Sequence, residues 1–368
     1  MKIVIAPDSF KGTLTAAEVC EIVARAFASV YPGAEIQSLP LADGGEGMAR
    51  AWAAACGGEL RIAEAVGPYD EPVNAEYFLL PDSTAVLEMA SCAGLELARP
   101  RGLNPELTTT KGLGGLMLAV QQAGAARILL GLGGSATNDA GCGMAHALGW
   151  RFYDGSGTGF CPVGGALSQI TKIEPPKKPF PLPVIAACDV QASLFGPEGA
   201  AYIYAPQKGA NPAMVRRLDE GLRHVASLFA SELAHTPGAG AAGGLGFGVL
   251  AFLGGALCPG VDLLLDCAGF DALLEGAVLV VTGEGRMDAQ TLQGKAPCGV
   301  LRRAKAHGVP TIGICGCVGQ GSDSLLAAGF AGLFPATEVP RSIEDLRCTC
   351  REDLFNAARR AAVEVKLS

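Results

Sequence analysis

The sequence predicts an α/β protein of two domains, an open parallel sheet interrupted by a second, mixed α/β domain. Three observations carry that expectation. The 368 residues exceed the roughly 250–300 at which a single core stops growing efficiently. Strand and helix patterns alternate at both ends of the chain, as parallel βαβ units require. Closely spaced strand patterns, which demand antiparallel pairing, occur only in the middle.

The elements follow in order. Lys2–Ala6 is a short apolar run that reads as a buried strand, and Ala16–Ala28 has helical apolar spacing. Glu35–Leu39 and Glu46–Cys56 repeat the strand and the helix. From about Arg61 the pattern changes: Leu60–Val66, Val73–Leu80 and Thr84–Met89 are strands separated only by GPYDEP and PDS. A helix over 112–123, a strand at Arg127–Leu132, a glycine loop and a helix to Leu148 come next. Pro175–Pro183 and Pro206–Asn211 read as loops and turns. Ala277–Thr282, Pro297–Ala306, Thr311–Cys315 and the amphipathic Ser342–Val365 then restore the alternation. The simplest split gives 1–65 plus 271–368 to the parallel-sheet domain and 66–270 to the insert, with the active site in the interdomain cleft.

Composition removes several classes of function. A net charge of −8 and a pI near 5.2, with Lys and Arg scattered singly, argue against nucleic acid or an anionic membrane as partner. The thirteen cysteines include only two close pairs, Cys315/Cys317 and Cys348/Cys350, and none clusters with His146, His224, His235 or His307. That spacing does not suit zinc, and reduced thiols fit a cytoplasmic protein. The N-terminal run in MKIVIAPDSFKG is too short for a signal peptide. Thr236–Val261 is uncharged, but its glycine-rich start, its prolines and Asp262 beyond it favour a buried helix over a membrane span.

In open parallel sheets ligands bind outside the carboxyl ends of the strands, so the loops there carry the chemistry. The first strand ends in PDSFKG with Asp8, Ser9 and Lys11, the second in PLADGGEG with Asp43 and Glu46, and a later one in TGEGRMD with Glu284, Arg286 and Asp288. Each acid also suits a helix cap or turn, the commonest task of Asp before a helix. Together they suggest hard oxygen ligands for Mg²⁺. GLGGSATNDAG at 131–141 adds glycines that expose backbone amides, hydroxyls on Ser135 and Thr137, the amide of Asn138 and a following helix N-terminus, all suited to an anion. It matches neither a phosphate-binding P-loop nor a dinucleotide fingerprint. Cations come from elsewhere in the sequence: Lys208 in APQKGA, Lys295 in LQGKAP and Lys11. Asp189, at the end of PLPVIAACDV, is placed to accept a proton from an attacking alcohol.

IAPDSFKG, PLADGGEG, LEMASCAGL, GLGGSATNDAG, CDV, PQKGA, PGAGAAGGLG and TGEGRMDAQTLQGKAP, in this order over essentially the whole chain, resemble the bacterial type of glycerate kinase. The resemblance implies a Rossmann- or flavodoxin-like domain with an inserted α/β domain, and Mg²⁺-dependent transfer of the ATP γ-phosphate to D-glycerate, at the 2-hydroxyl. Under it, Asp189 and Asp8 are the catalytic candidates, while Gly133, Gly134, Ser135, Thr137, Asn138, Lys11, Lys208 and Lys295 meet nucleotide phosphates. Arg286, Ser9 and Asp288 bind the acid, and Asp43, Glu46 and Glu284 hold the metal. The chain departs from the pattern at Met48, Gly115 and the Ala192–Ser193 pair, which bears on the acceptor. Phosphorylation of a related hydroxy acid or of the 3-hydroxyl, and plain binding of a small anionic metabolite, are the alternatives. The oligomeric state, monomer or homodimer, is open.

Overall fold

A computed structural model describes residues 1–10, 12–41, 48–292, 294–337 and 343–367. The chain forms two compact units, Met1–Asp43 with Val261–Ser368, and Gly44–Gly260.

The first unit is built on a five-stranded sheet in the order Phe330–Pro335, Thr311–Cys315, Ala277–Thr282, Lys2–Ile5, Glu35–Ser38. Every pairing in it is parallel. Such sheets are covered on both faces, so their strands read as continuous apolar runs. Ile3, Val4, Ile5, Leu279, Val280 and Ile312 are accordingly inaccessible to solvent. On one face lie the helix Ala16–Val30 and the terminal helix Ile343–Val365, sharing a core with Ile3, Ile5 and Ile314. The first of these starts at a capping box: Thr15 Oγ1 accepts from Glu18 N, and Glu18 Oε2 accepts from Thr15 N. From Lys2–Ile5 the chain crosses to one side of the sheet, and from Ala277–Thr282 it crosses to the other. The order therefore reverses between these two neighbouring strands, the switch point at which open α/β sheets bind ligands.

The second unit has a mixed six-stranded sheet in the order Ala256–Cys258, Val184–Ala187, Arg127–Gly131, Thr84–Glu88, Pro72–Leu79, Glu59–Val66. The last two joints are antiparallel and the others parallel. Glu59–Val66 pairs along all eight residues with Pro72–Leu79, which commits it to this unit. The joints at 43/44 and 260/261 thus lie earlier than the 65/66 and 270/271 read from the sequence. A small three-stranded sheet of Gly159–Phe160, Arg151–Tyr153 and Lys172–Glu174 was not foreseen.

The apolar segment after Thr236 contains the helix Ala241–Leu253, with Leu245, Phe247 and Val249 fully buried. No helix of the described residues is long and apolar enough to cross a membrane. Its first turn is not helical: Ala242, Gly243 and Gly244 all have positive φ. At Gly243 a Cβ would stand 2.0 Å from the Thr137 carbonyl oxygen, so only glycine admits the close approach of the two loops.

Candidate active site

In the first unit the switch point opens into a cavity of about 510 Å³. Asp8 and Ser9 reach it from the end of Lys2–Ile5, Glu284 and Arg286 from the end of Ala277–Thr282, and Lys295 from the start of the helix Ala296–Ala306. Asp8 N donates to the Gly283 carbonyl at 2.8 Å, which ties the two strand ends together. The Asp8 side chain is only 4% exposed, and its Oδ1 accepts from Ser9 N at 2.6 Å. The fold therefore delivers five residues singled out in the sequence to one concave surface.

Glu284, Lys295 and Arg286 are already engaged in ion pairs. Glu284 Oε2 accepts from Lys295 Nζ at 3.0 Å and Glu284 Oε1 from Thr291 Oγ1 at 2.7 Å. Arg286 Nε lies 3.2 Å from Asp288 Oδ2, while Asp288 Oδ1 accepts from Gln290 N at 2.9 Å. A metal requires carboxylate oxygens that converge, and here Glu284 instead faces a lysine and a hydroxyl. Among the described residues no group of three His, Cys, Asp or Glu side chains is arranged to hold a metal ion. Asp43, Glu46 and Lys11 lie outside the described residues. Mg²⁺ is usually held by one or two carboxylates together with substrate phosphates, and of the three metal candidates the described residues include only Glu284.

In the second unit the loop 131–141 follows the strand Arg127–Gly131. Only Gly133 and Gly134 of its motif residues are partly exposed; Ser135, Thr137 and Asn138 are buried. Gly134 has φ +72°, the left-handed conformation that turns the chain there. Ser135 Oγ accepts from Thr137 N at 3.1 Å and donates to the Ala242 carbonyl at 3.2 Å. Lys208, 2% exposed, donates to the Thr137 carbonyl at 2.6 Å and to Ser135 Oγ at 3.2 Å. Burial lowers its pKa to about 7, partly opposed by the negative charge of Asp139. Lys208 is thus an internal hydrogen-bond donor to this loop.

The helix N-terminus expected to receive a ligand anion is taken by an anion of the chain itself. Asp139, fully buried, accepts from Gly141 N and Gly143 N at 3.2 Å, and from Thr110 N and Thr110 Oγ1 at 2.8 Å. Met144 N, the next amide of the helix Cys142–Ala147, donates to Thr110 Oγ1 at 2.9 Å. Burial raises the Asp139 pKa, and these four donors pull it back. Neither polar atom of the Asn138 side chain has a hydrogen-bond partner among the described residues. Of the loop's motif glycines, Gly133 and Gly134 are the partly exposed ones.

Asp189 follows the strand Val184–Ala187. It is exposed, and its Oδ1 accepts from Gly260 N at 2.9 Å at the start of the helix Gly260–Cys267. The contact is a long-range one, across 71 positions, and not the cap of a helix that Asp189 itself precedes. Met48, where the sequence leaves the family pattern, is fully buried, with its Cε against Gly131. Sequence reasoning passed over Asp139 and Thr110, although an Asp just before a helix is a known start signal. It also passed over Leu346, Cys350 and Asp353, which line the cavity from the terminal helix.

The comparisons with known proteins agree in one direction. The pattern of the glycerate kinase family matches residues 3–366. A glycerate kinase of Bacillus subtilis (strain 168) is 43% identical over 100% of this chain and 98% of its own length. A glycerate 2-kinase of Escherichia coli (strain K12) is 38% identical over 100% of this chain and 98% of its own. The crystal structure described as a glycerate kinase 2 from Salmonella typhimurium LT2 is similar with a TM-score of 0.85, at 39% identity, covering 100% of this chain and 98% of that one.

Proposed function

The chain belongs to the glycerate kinase family, and from that premise we propose that it is an enzyme transferring the γ-phosphoryl group of ATP to the 2-hydroxyl of D-glycerate in the cytoplasm. The observation that carries the reading is the cavity at the switch point, where Asp8, Ser9, Arg286 and Lys295 line one surface.

Phosphoryl transfer asks a protein mainly to position the reactants and to balance charge. Arg286 is the one guanidinium lining the cavity among the described residues, and a guanidinium matches a carboxylate with two parallel hydrogen bonds. It holds the acid's carboxylate, with Ser9 and Asp288 beside it. Asp8 then orients the 2-hydroxyl and takes its proton. The hydroxyl oxygen bonds to the γ-phosphorus, and ADP leaves with the electron pair of the broken bond. We assign proton acceptance to Asp8 rather than Asp189, since Asp8 is nearly buried on the cavity wall and Asp189 is exposed at a helix start. Lys295, held by Glu284, balances phosphate charge at the cavity. In the second unit, the partly exposed Gly133–Gly134 turn is the anion-binding part of its loop, and Lys208 keeps that loop in shape.

The test is ADP release measured with D-glycerate, L-glycerate and related hydroxy acids as acceptors. Release dependent on D-glycerate supports the reading. ATP turnover that is indifferent to the acid, or absent with every acid, rejects it.

A further inference from the structure

Thr291 lies in the short 3₁₀ turn Ala289–Leu292, between the loop that carries Glu284 and the helix Ala296–Ala306, and it is inaccessible to solvent. Its hydroxyl is used twice. Oγ1 accepts from Asp288 N at 3.1 Å and donates to Glu284 Oε1 at 2.7 Å. The first bond is local: together with Thr291 N donating to the Asp288 carbonyl at 2.9 Å and Asp288 Oδ1 accepting from Gln290 N at 2.9 Å, it closes the turn. The second leaves the turn and reaches a carboxylate seven residues back that lines the cavity.

The two bonds act in series. A hydroxyl that accepts from a fixed amide has its own proton turned away from that amide, and here the proton is turned to Glu284. The other oxygen of the same carboxylate, Oε2, accepts from Lys295 Nζ at 3.0 Å. With Oε1 held, the carboxylate plane is fixed and the ammonium has one place to sit. With Oε1 released, the carboxylate turns about its last side-chain bond, a soft torsion, and the ammonium follows it. We infer that Thr291 is a positioning residue for the transfer, whose hydroxyl sets Lys295 at the phosphate through Glu284. The inference rests on the reading of Lys295 as the group that balances phosphate charge. A charge placed before the reaction stabilises the transition state without reorganisation, so a bond that touches neither reactant still bears on the rate.

The experiment compares the full chain with Thr291→Val and Thr291→Ser, each checked for folding by circular dichroism. Valine keeps the volume and removes the hydroxyl, and is expected to lower kcat for D-glycerate-dependent ADP release about 10–100-fold, the worth of a hydrogen bond to a charged group. Serine keeps the hydroxyl and is expected to stay within about threefold of wild type. A second measurement reads the lysine itself: acetylation of Lys295 by acetic anhydride, followed by peptide mass spectrometry, with the exposed Lys178 as internal control. Thr291→Val is expected to speed acetylation of Lys295 at least about threefold, as its ion pair loosens, with Lys178 unchanged and Thr291→Ser like wild type. A kcat for Thr291→Val equal to that of wild type overturns the inference. So does a serine variant as impaired as the valine one, which assigns the effect to packing, and so does a lowered kcat with Lys295 acetylation unchanged. A wild-type chain that releases no ADP with D-glycerate rejects the proposed reaction instead, and the acetylation rates then show separately whether Thr291 holds Lys295. If Thr291→Val fails to fold, Thr291→Ala against Thr291→Ser decides by the same two measurements.

Discussion

The Lys208 ammonium donates to the Thr137 carbonyl at 2.6 Å in an interior that leaves the lysine 2% exposed. With the buried Asp139 on the other arm of the loop, this contact makes GLGGSATNDAG a loop that buries ionisable groups of the chain's own. Charges of this kind are costly to bury, so they leave a signature in the pH dependence of stability.

For Lys208 the sign follows from a pKa lowered to about 7 in the folded protein against an ordinary 10.5. Below about 7 both states hold the proton, and this residue adds no slope. Between these values the unfolded chain holds more protons, so stability rises with pH, by up to about 1.4 kcal/mol per unit. Buried thiols such as Cys20 and Cys92, pushed up to about 12, act in the opposite sense over part of the range. The difference between wild type and Lys208→Met isolates the lysine. Urea unfolding from pH 7 to 10 is expected to show wild type gaining stability relative to the variant, and a constant difference contradicts the assignment.

Asp139→Asn removes a carboxylate that accepts from three backbone amides and a hydroxyl. An amide turns its own N–H donors toward some of those donors, leaving buried groups unpaired at about 1–3 kcal/mol each. Thermal unfolding is expected several degrees lower, with a loss of roughly 3 kcal/mol. An unchanged melting temperature shows that the carboxylate is not ionised in the folded state.

Asp8 and Asp189 separate cleanly by substitution. Asp8→Asn is expected to lower kcat about 10²–10⁴-fold, the usual worth of a positioned base. Asp189→Asn keeps a side-chain oxygen for Gly260 N and is expected to cost no more than about 1 kcal/mol of stability, with kcat within about threefold. Steady-state kinetics on both variants, alongside circular dichroism, decide the matter; the reverse pattern moves the base to Asp189.

Arg286→Ala is expected to raise KM for D-glycerate roughly 10–100-fold, the value of a charge-assisted hydrogen bond to a carboxylate. KM for ATP should stay within about threefold. An equal rise in both constants removes Arg286 from the acid site.

Much of the fold was legible because its strongest signals are local. Parallel strands buried on both faces announce themselves as runs such as KIVI, AVLVVT and TIGIC. The closely spaced strands from Glu59 to Glu88 showed their antiparallel pairing through short turns. The strand ends bearing Asp8, Glu284 and Arg286 were readable for the same reason. The second unit's loop was readable only in part, since its ion chemistry is long-range. Asp139 meets Thr110 across 29 positions, and Lys208 meets Thr137 across 71. Glycines and hydroxyls in a sequence suggest an open cradle, and nothing local reveals that the chain fills part of it with its own carboxylate. The terminal-helix wall of the cavity was likewise hidden, as the amphipathic Ser342–Val365 shows a helical spacing but not which strand ends it faces.

The central claim is that one phosphoryl group moves from ATP to the 2-hydroxyl of D-glycerate, and phosphorus NMR of the product tests it directly. With ATP supplied as its magnesium salt, the ester phosphorus is predicted to appear as a doublet, coupled to the single proton on its carbon, with an equal amount of ADP. A triplet from a neighbouring methylene group places the phosphate on the 3-hydroxyl and contradicts the claim.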